Sequence, residues 1–251
     1  AKMANSINTN YGAAIALQNL NATNAQLERT QNRVNTGMKV ATAKDNGAIF
    51  AIATTQRANM GAMDAVKNSL QRGQSIVDVA LAAGDTVTAA LEEMRQLAVN
   101  IQSSVAGSDA ETAYLKDFNA LGGEIDKALK GASFDGVNLW NTTTATSLTT
   151  SVSGGTYEIG FGTTDKAAAA AVTAVSAGTA VRAGATTAIV DAAIKEITSD
   201  LATLGTQSKS VGRQLTFVGK LQDATEAGIG NLVDADLAKE SAKLTALQTK
   251  Q

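Results

Sequence analysis

The sequence predicts a mainly α fold. It reads as an elongated rod of long antiparallel heptad-patterned helices with a small β-hairpin region, and with N- and C-terminal arms that pair at one end. Three observations carry this expectation. First, one seam runs Val190, Ile194, Ile197, Leu201, Leu204, Ser208, Val211, Leu215, Val218, Gln222, Thr225, Ile229, Leu232, and ten of its thirteen positions are apolar. Alternating steps of four and three bury one stripe of a helix against partner helices. A helix of that length spans about 65 Å at ~1.5 Å per residue, whereas a globule of this mass has a radius of gyration of about 18 Å. Second, the rhythm recurs at Ile76, Ala80, Ala83, Val87, Ala90, Met94, Leu97 and Ile101. Third, the 251 residues contain no Pro, the main breaker of long helices.

The elements follow in chain order. The N-terminal arm carries a seam of Leu17, Leu20, Asn24, Leu27, Gln31, Val34 and Met38, with polar residues at two core positions. Such a seam is weak alone, because isolated helices are marginal in water and polar core residues fix register at a cost. After the 76–101 helix, Tyr114, Phe118, Leu121 and Ile125 mark the apolar face of a shorter one. Asp135-Gly136 is a turn signal. Leu148, Thr150 and Val152 alternate with polar residues, as do Tyr157, Ile159 and Phe161 beyond Gly154-Gly155, which predicts a β-hairpin. Residues 165–188 are rich in Ala, Thr, Gly and Ser and read as a variable surface insertion. The 190–232 helix returns along the rod and ends near Gly228–Leu232, where two glycines weaken it. Val233, Leu237, Glu240, Leu244, Leu247 and Gln251 form the C-terminal seam. The expected domains are 3–44 with 234–251, 45–140 with 189–233, and 141–188. Both arms are expected to be loosely held until neighbours complete them.

Composition narrows function. With no His and no Cys there is no Ser-His-Asp triad, no thiol nucleophile, no HExxH zinc site and no disulfide. Lys plus Arg (21) nearly balances Asp plus Glu (23), which speaks against a nucleic-acid binder. There is no apolar run long enough for a membrane span. Gly212 to Gly219-Lys220 has the wrong spacing for a phosphate loop, and Leu221 stands where Ser or Thr is required. Asp234-Ala235-Asp236 reads as acidic residues at a helix start rather than a metal site. Thr142 to Ser153 reads either as an exposed site for O-linked sugar or as an unmodified polar loop. We therefore expect no enzyme, cofactor or metal.

Two separated segments resemble a known family. Ser6-Ile7-Asn8-Thr9-Asn10 with residues 27–53 (LERTQNRVNTGMKVATAKDNGAIFAIA) resembles the N-terminal signature of bacterial flagellins. Residues 231–251 (NLVDADLAKESAKLTALQTKQ) resemble their C-terminal signature, and residues 215–233 resemble α-proteobacterial flagellins in particular. The resemblance implies a filament subunit that polymerises with itself for motility, secreted outside the cell. It implies passage through the flagellar type III export apparatus, an export chaperone and a filament cap. The alternatives are a hook–filament junction protein and a flagellin-like polysaccharide-binding surface protein.

The resemblance also places the functional residues. Ile7, Leu17, Leu20, Leu27, Val34, Leu237, Leu244 and Leu247 would be the assembly arms, exposed in one copy and buried between copies at ~1–2 kcal/mol each. Ile194, Ile197, Leu201, Leu204, Val211, Leu215 and Val218 would be the rod seam. Arg95, Gln96 and Leu97 fall in a segment like the one that contacts Toll-like receptor 5 in many flagellins. Flagellins continue past the equivalent of Gln251 with a further apolar helical stretch, so this chain is expected to be C-terminally truncated and to polymerise poorly by itself.

Overall fold

A computed structural model describes residues 11–234 and 237–249. Six α-helices and one antiparallel hairpin are present among them: α1 Tyr11–Thr36, α2 Gly47–Ser103, α3 Asp109–Gly131, β1 Thr146–Thr149, β2 Thr156–Ile159, α4 Ala170–Ser176, α5 Thr187–Val233 and α6 Leu237–Thr249. The absence of Pro lets α2 run 57 residues and α5 run 47 without a break. α5 passes through Gly228 and Gly230 and ends at Val233, slightly beyond the joint read from the sequence. α3 starts where its sequence says it should. The Ser108 hydroxyl accepts from the Glu111 N–H, Asp109 and Glu111 occupy the first turn, and Lys130 the last.

The chain divides into two compact units, Ala62–Lys220 and the described residues of Ala1–Gly61 with Leu221–Gln251. In the Ala62–Lys220 unit, α2 and α5 run antiparallel. Gln74 meets Ser208, Gly84 leaves room for Leu201, and Arg95 meets Asp191. Along α5, Val190, Ile197, Leu204, Val211 and Val218 are buried, while Ile194, Leu201 and Leu215 flank them half-buried. Ala193 and Asp200 are buried too, so the stripe is centred one residue aside of the four-three seam. The helix is wedged between neighbours on both flanks of that seam, not facing a single partner.

The hairpin is a lid on this core. Leu148 pairs with Tyr157, and Leu148 and Ile159 point inward and are buried. The strands are shorter than the alternation implied. Thr150 and Val152 belong to the 150–155 loop, where Gly154 has φ +91° and Val152 is exposed. Trp140, fully buried, donates its indole N–H to the Ala80 carbonyl at 2.7 Å and packs on Phe161 with ring centres 5.3 Å apart. Asp135 (φ +50°) and Gly136 (φ +73°) form the tip between paired Phe134 and Val137, as the Asp-Gly signal required.

The 165–188 segment is structured where the sequence shows no pattern. It forms a one-turn 3-10 helix at Lys166–Ala168, then α4, then another at Arg182–Gly184, and it buries Ala167, Val172, Val175 and Ala185. α4 packs on α3, where Gly122 lets the Val175 carbonyl approach. Asn119 brackets Ala180 with two hydrogen bonds of 2.8 and 2.9 Å. Small residues gave no periodic signal, but they allow this close contact.

Candidate assembly surface

The second unit brings the arms together. Met38 pairs with Asp234, and the Lys39 N–H donates to the Val233 carbonyl at 2.5 Å. A small core of Val40, Ala53, Ile229 and Val233 forms here. Beyond it, α1 and α6 pack antiparallel, and Arg33 bonds Glu240 at 3.2 Å. Arg33 Nε and Glu240 Oε2 are buried without a hydrogen-bond partner, so the pair fixes register more than it stabilises.

The arm residues fare differently from the expectation. Leu27 and Leu247 are buried within the chain, which corrects their reading as surface awaiting another copy. Thr30 is buried where the seam placed Gln31, and both Asn24 and Gln31 are exposed. A straight helix at 3.6 residues per turn drifts from a 3.5-residue seam, and α6 covers the drifted face. Val34 and Leu244 are half-buried. Ile7 and the side chain of Leu237 lie outside the described residues.

The first turns of α1 stand apart. Every residue from 12 to 22 is exposed, including Ile15 at 56%, Leu17 at 59% and Leu20 at 44%. Leu17 and Leu20 share a face at i, i+3, and Ile15 projects from another. A helix apolar on two sides calls for cover from two sides.

On α2, Arg95 and Gln96 are exposed and Leu97 is half-buried. Arg95 Nε donates to Asp191 Oδ1 at 2.7 Å, a pair open to solvent.

One ionic cluster went unrecognised in the sequence. Lys166 Nζ lies 3.1 Å from Glu196 and 3.3 Å from Asp200, and 5.4 Å from the centre of the Phe161 ring. Asp200 is 4% exposed, and its Oδ2 is buried without a partner. Burial pushes the Asp200 carboxyl up to about 6, Lys166 opposes the rise, and Glu196 adds to it. The clue was a charged residue between the seam positions Ile197 and Leu204. Elsewhere, Arg182 pairs with Glu111 and holds its carboxyl below the usual range. Among the described residues no group of His, Cys, Asp and Glu could hold a metal ion, and no helix is long and apolar enough to cross a membrane.

The paired terminal helices have a known counterpart. Residues 7–145 match the bacterial flagellin N-terminal helical region, and residues 187–251 match the bacterial flagellin C-terminal helical region. The chain belongs to the bacterial flagellins. Flagellin FljM of Caulobacter vibrioides is 49% identical over 248 residues, which cover 98% of this flagellin and 91% of that one. FljK of the same organism is 48% identical over the same shares. The Brucella melitensis flagellin is 34% identical over 98% of this chain and 91% of its own. The expected kinship with α-proteobacterial flagellins is met. This flagellin is a structural subunit of the flagellar filament, and its family polymerises with itself. The hairpin and α4 fall between the two matched regions.

Proposed function

We propose that this flagellin reaches the cell exterior through the flagellar type III export apparatus, with an export chaperone and a filament cap as partners. We further propose that it joins the filament by burying the first half of α1 between copies. The observation that supports the second reading is the apolar exposure of Ile15, Leu17 and Leu20 on two sides of one helix. α6 covers only the later part of α1, around Leu27, Thr30 and Arg33. Each exposed leucine contributes ~1–2 kcal/mol when covered, so neighbouring subunits gain most from this stretch.

Replacing both Leu17 and Leu20 by Asp tests it. Seeded growth on filament fragments should fall at least tenfold, read by sedimentation, while far-ultraviolet circular dichroism of the free chain stays that of the parent. Growth at the parental rate would overturn the reading.

A further inference from the structure

We propose that a second copy of this chain docks a basic ridge of α5 into an acid-rimmed cleft between α2 and α3. The inference rests on self-assembly and names a pair of surfaces that carry it. The ridge is Lys209, Arg213, Phe217 and Lys220, all exposed, with Phe217 at 63%. Steps of four, four and three place them within one stripe of the helix. Among the described residues no ion pair engages these three cations.

The cleft lies on the same unit, between the antiparallel α2 and α3. Its floor is apolar, made by Val87, Ala90, Leu121 and Ile125. Its rim carries the exposed carboxylates Glu93, Asp117 and Glu124, and no Lys or Arg lines it. None of the three rim carboxylates is in an ion pair among the described residues. An apolar floor under unpaired charge of one sign fits an apolar side chain flanked by charge of the other sign.

The spacings match. Asp117, Leu121 and Glu124 follow steps of four and three along α3, and Arg213, Phe217 and Lys220 follow the same steps along α5. In each helix the two charges are seven residues, about 10.5 Å, apart, with the apolar residue between them. Phe217 can thus seat against Leu121 while both cations meet carboxylates. The ridge and the cleft are different surfaces of one copy, so the contact is heterologous. Each copy that docks its ridge leaves its own cleft free for the next, and such contacts propagate.

Charge reversal tests the inference. Variants Arg213→Glu/Lys220→Glu and Asp117→Lys/Glu124→Lys alter only exposed residues, and their circular dichroism and melting should match the parent. Each alone should weaken seeded growth, and self-association by sedimentation equilibrium in low salt, at least tenfold. An equimolar mixture of the two should recover most of it, as should the chain carrying all four changes. The parent's association should also weaken between 50 and 500 mM salt through screening, by about a tenfold factor. If the parent assembles and the reversed variants assemble equally well, or if the fourfold variant is not rescued, this interface is wrong and the self-assembly reading stands. If the parent fails to grow even on filament fragments, both readings fall.

Discussion

At single residues, glycines decide how closely the elements approach. A Cβ at Gly73 would lie 2.1 Å from Leu148 Cδ1, and one at Gly84 would lie 2.2 Å from Leu201 Cδ2. These absences let the hairpin and α5 sit down on α2. Adjacent Gly122 and Gly123 make a sharper comparison. At Gly122 a Cβ would meet the Val175 backbone oxygen at 2.2 Å, whereas at Gly123 nothing lies within 4 Å. Both are inside α3, where alanine improves helix propensity by ~1 kcal/mol. Overpacking against backbone costs about 1–3 kcal/mol. We expect Gly123→Ala to raise unfolding stability by ~0.5–1 kcal/mol. Gly122→Ala should lower it by ~1–2 kcal/mol, as chemical denaturation would measure. Equal effects would show that α4 does not press on α3.

At the level of elements, the hairpin and the 166–184 segment are tied to α5 by polar side chains. Gln207 exchanges two hydrogen bonds with the backbone of Gly160, at 2.6 and 2.9 Å. Lys166 reaches Asp200 and Glu196, about two and three turns earlier in the helix. The Asp200 latch has a pH signature. Its folded pKa of about 6 lies above its ordinary 3.8. The folded state therefore binds more protons between about pH 4 and 6, and this group's contribution to stability falls as pH rises through that window. Other carboxylates titrate in the same range, so the comparison must be with Asp200→Asn. The parent's melting temperature minus the variant's should decline from pH 4 to pH 6 and level off above. A constant difference would exclude the latch. Glu111, depressed by Arg182, works in the opposite sense, losing stability as pH falls.

Across the whole molecule, the two compact units are unequally held. The Ala62–Lys220 unit has a continuous core from Met63 to Val218 that includes Trp140 and Phe118. In the other unit, among the described residues, α1 buries only Leu27 and Thr30, and α6 shows one buried residue, Leu247. Local opening is easiest where buried apolar contact is sparse. Hydrogen exchange on the dilute chain should find residues 12–22 exchanging at least a hundredfold faster than residues 76–101. Protection of both stretches at the same level would refute this and weaken the case for arms completed by neighbours. In a filament the slow exchange should extend to residues 12–22.

How much of this was legible varied with the physics. The heptad steps gave the long helices, because burying a stripe leaves a periodic trace in any helix. The Gly-Gly and Asp-Gly turns were readable for the same kind of reason, since positive φ restricts residue choice. The terminal signatures gave the family, and hence the filament. Periodicity could not say which flank of a seam is deepest, so Asp200 and Thr30 were missed while Gln31 was misplaced. Nor could it see the 165–188 segment, whose small residues pack through backbone approach and not through an apolar stripe. Sequence alone thus determined the long helices, the hairpin and the family, all set by local pattern. Only the tertiary structure decided which leucines of the arms are already covered, where Lys166 finds its carboxylates and which charged stripes remain unpaired. Those depend on residues far apart in the chain meeting in space.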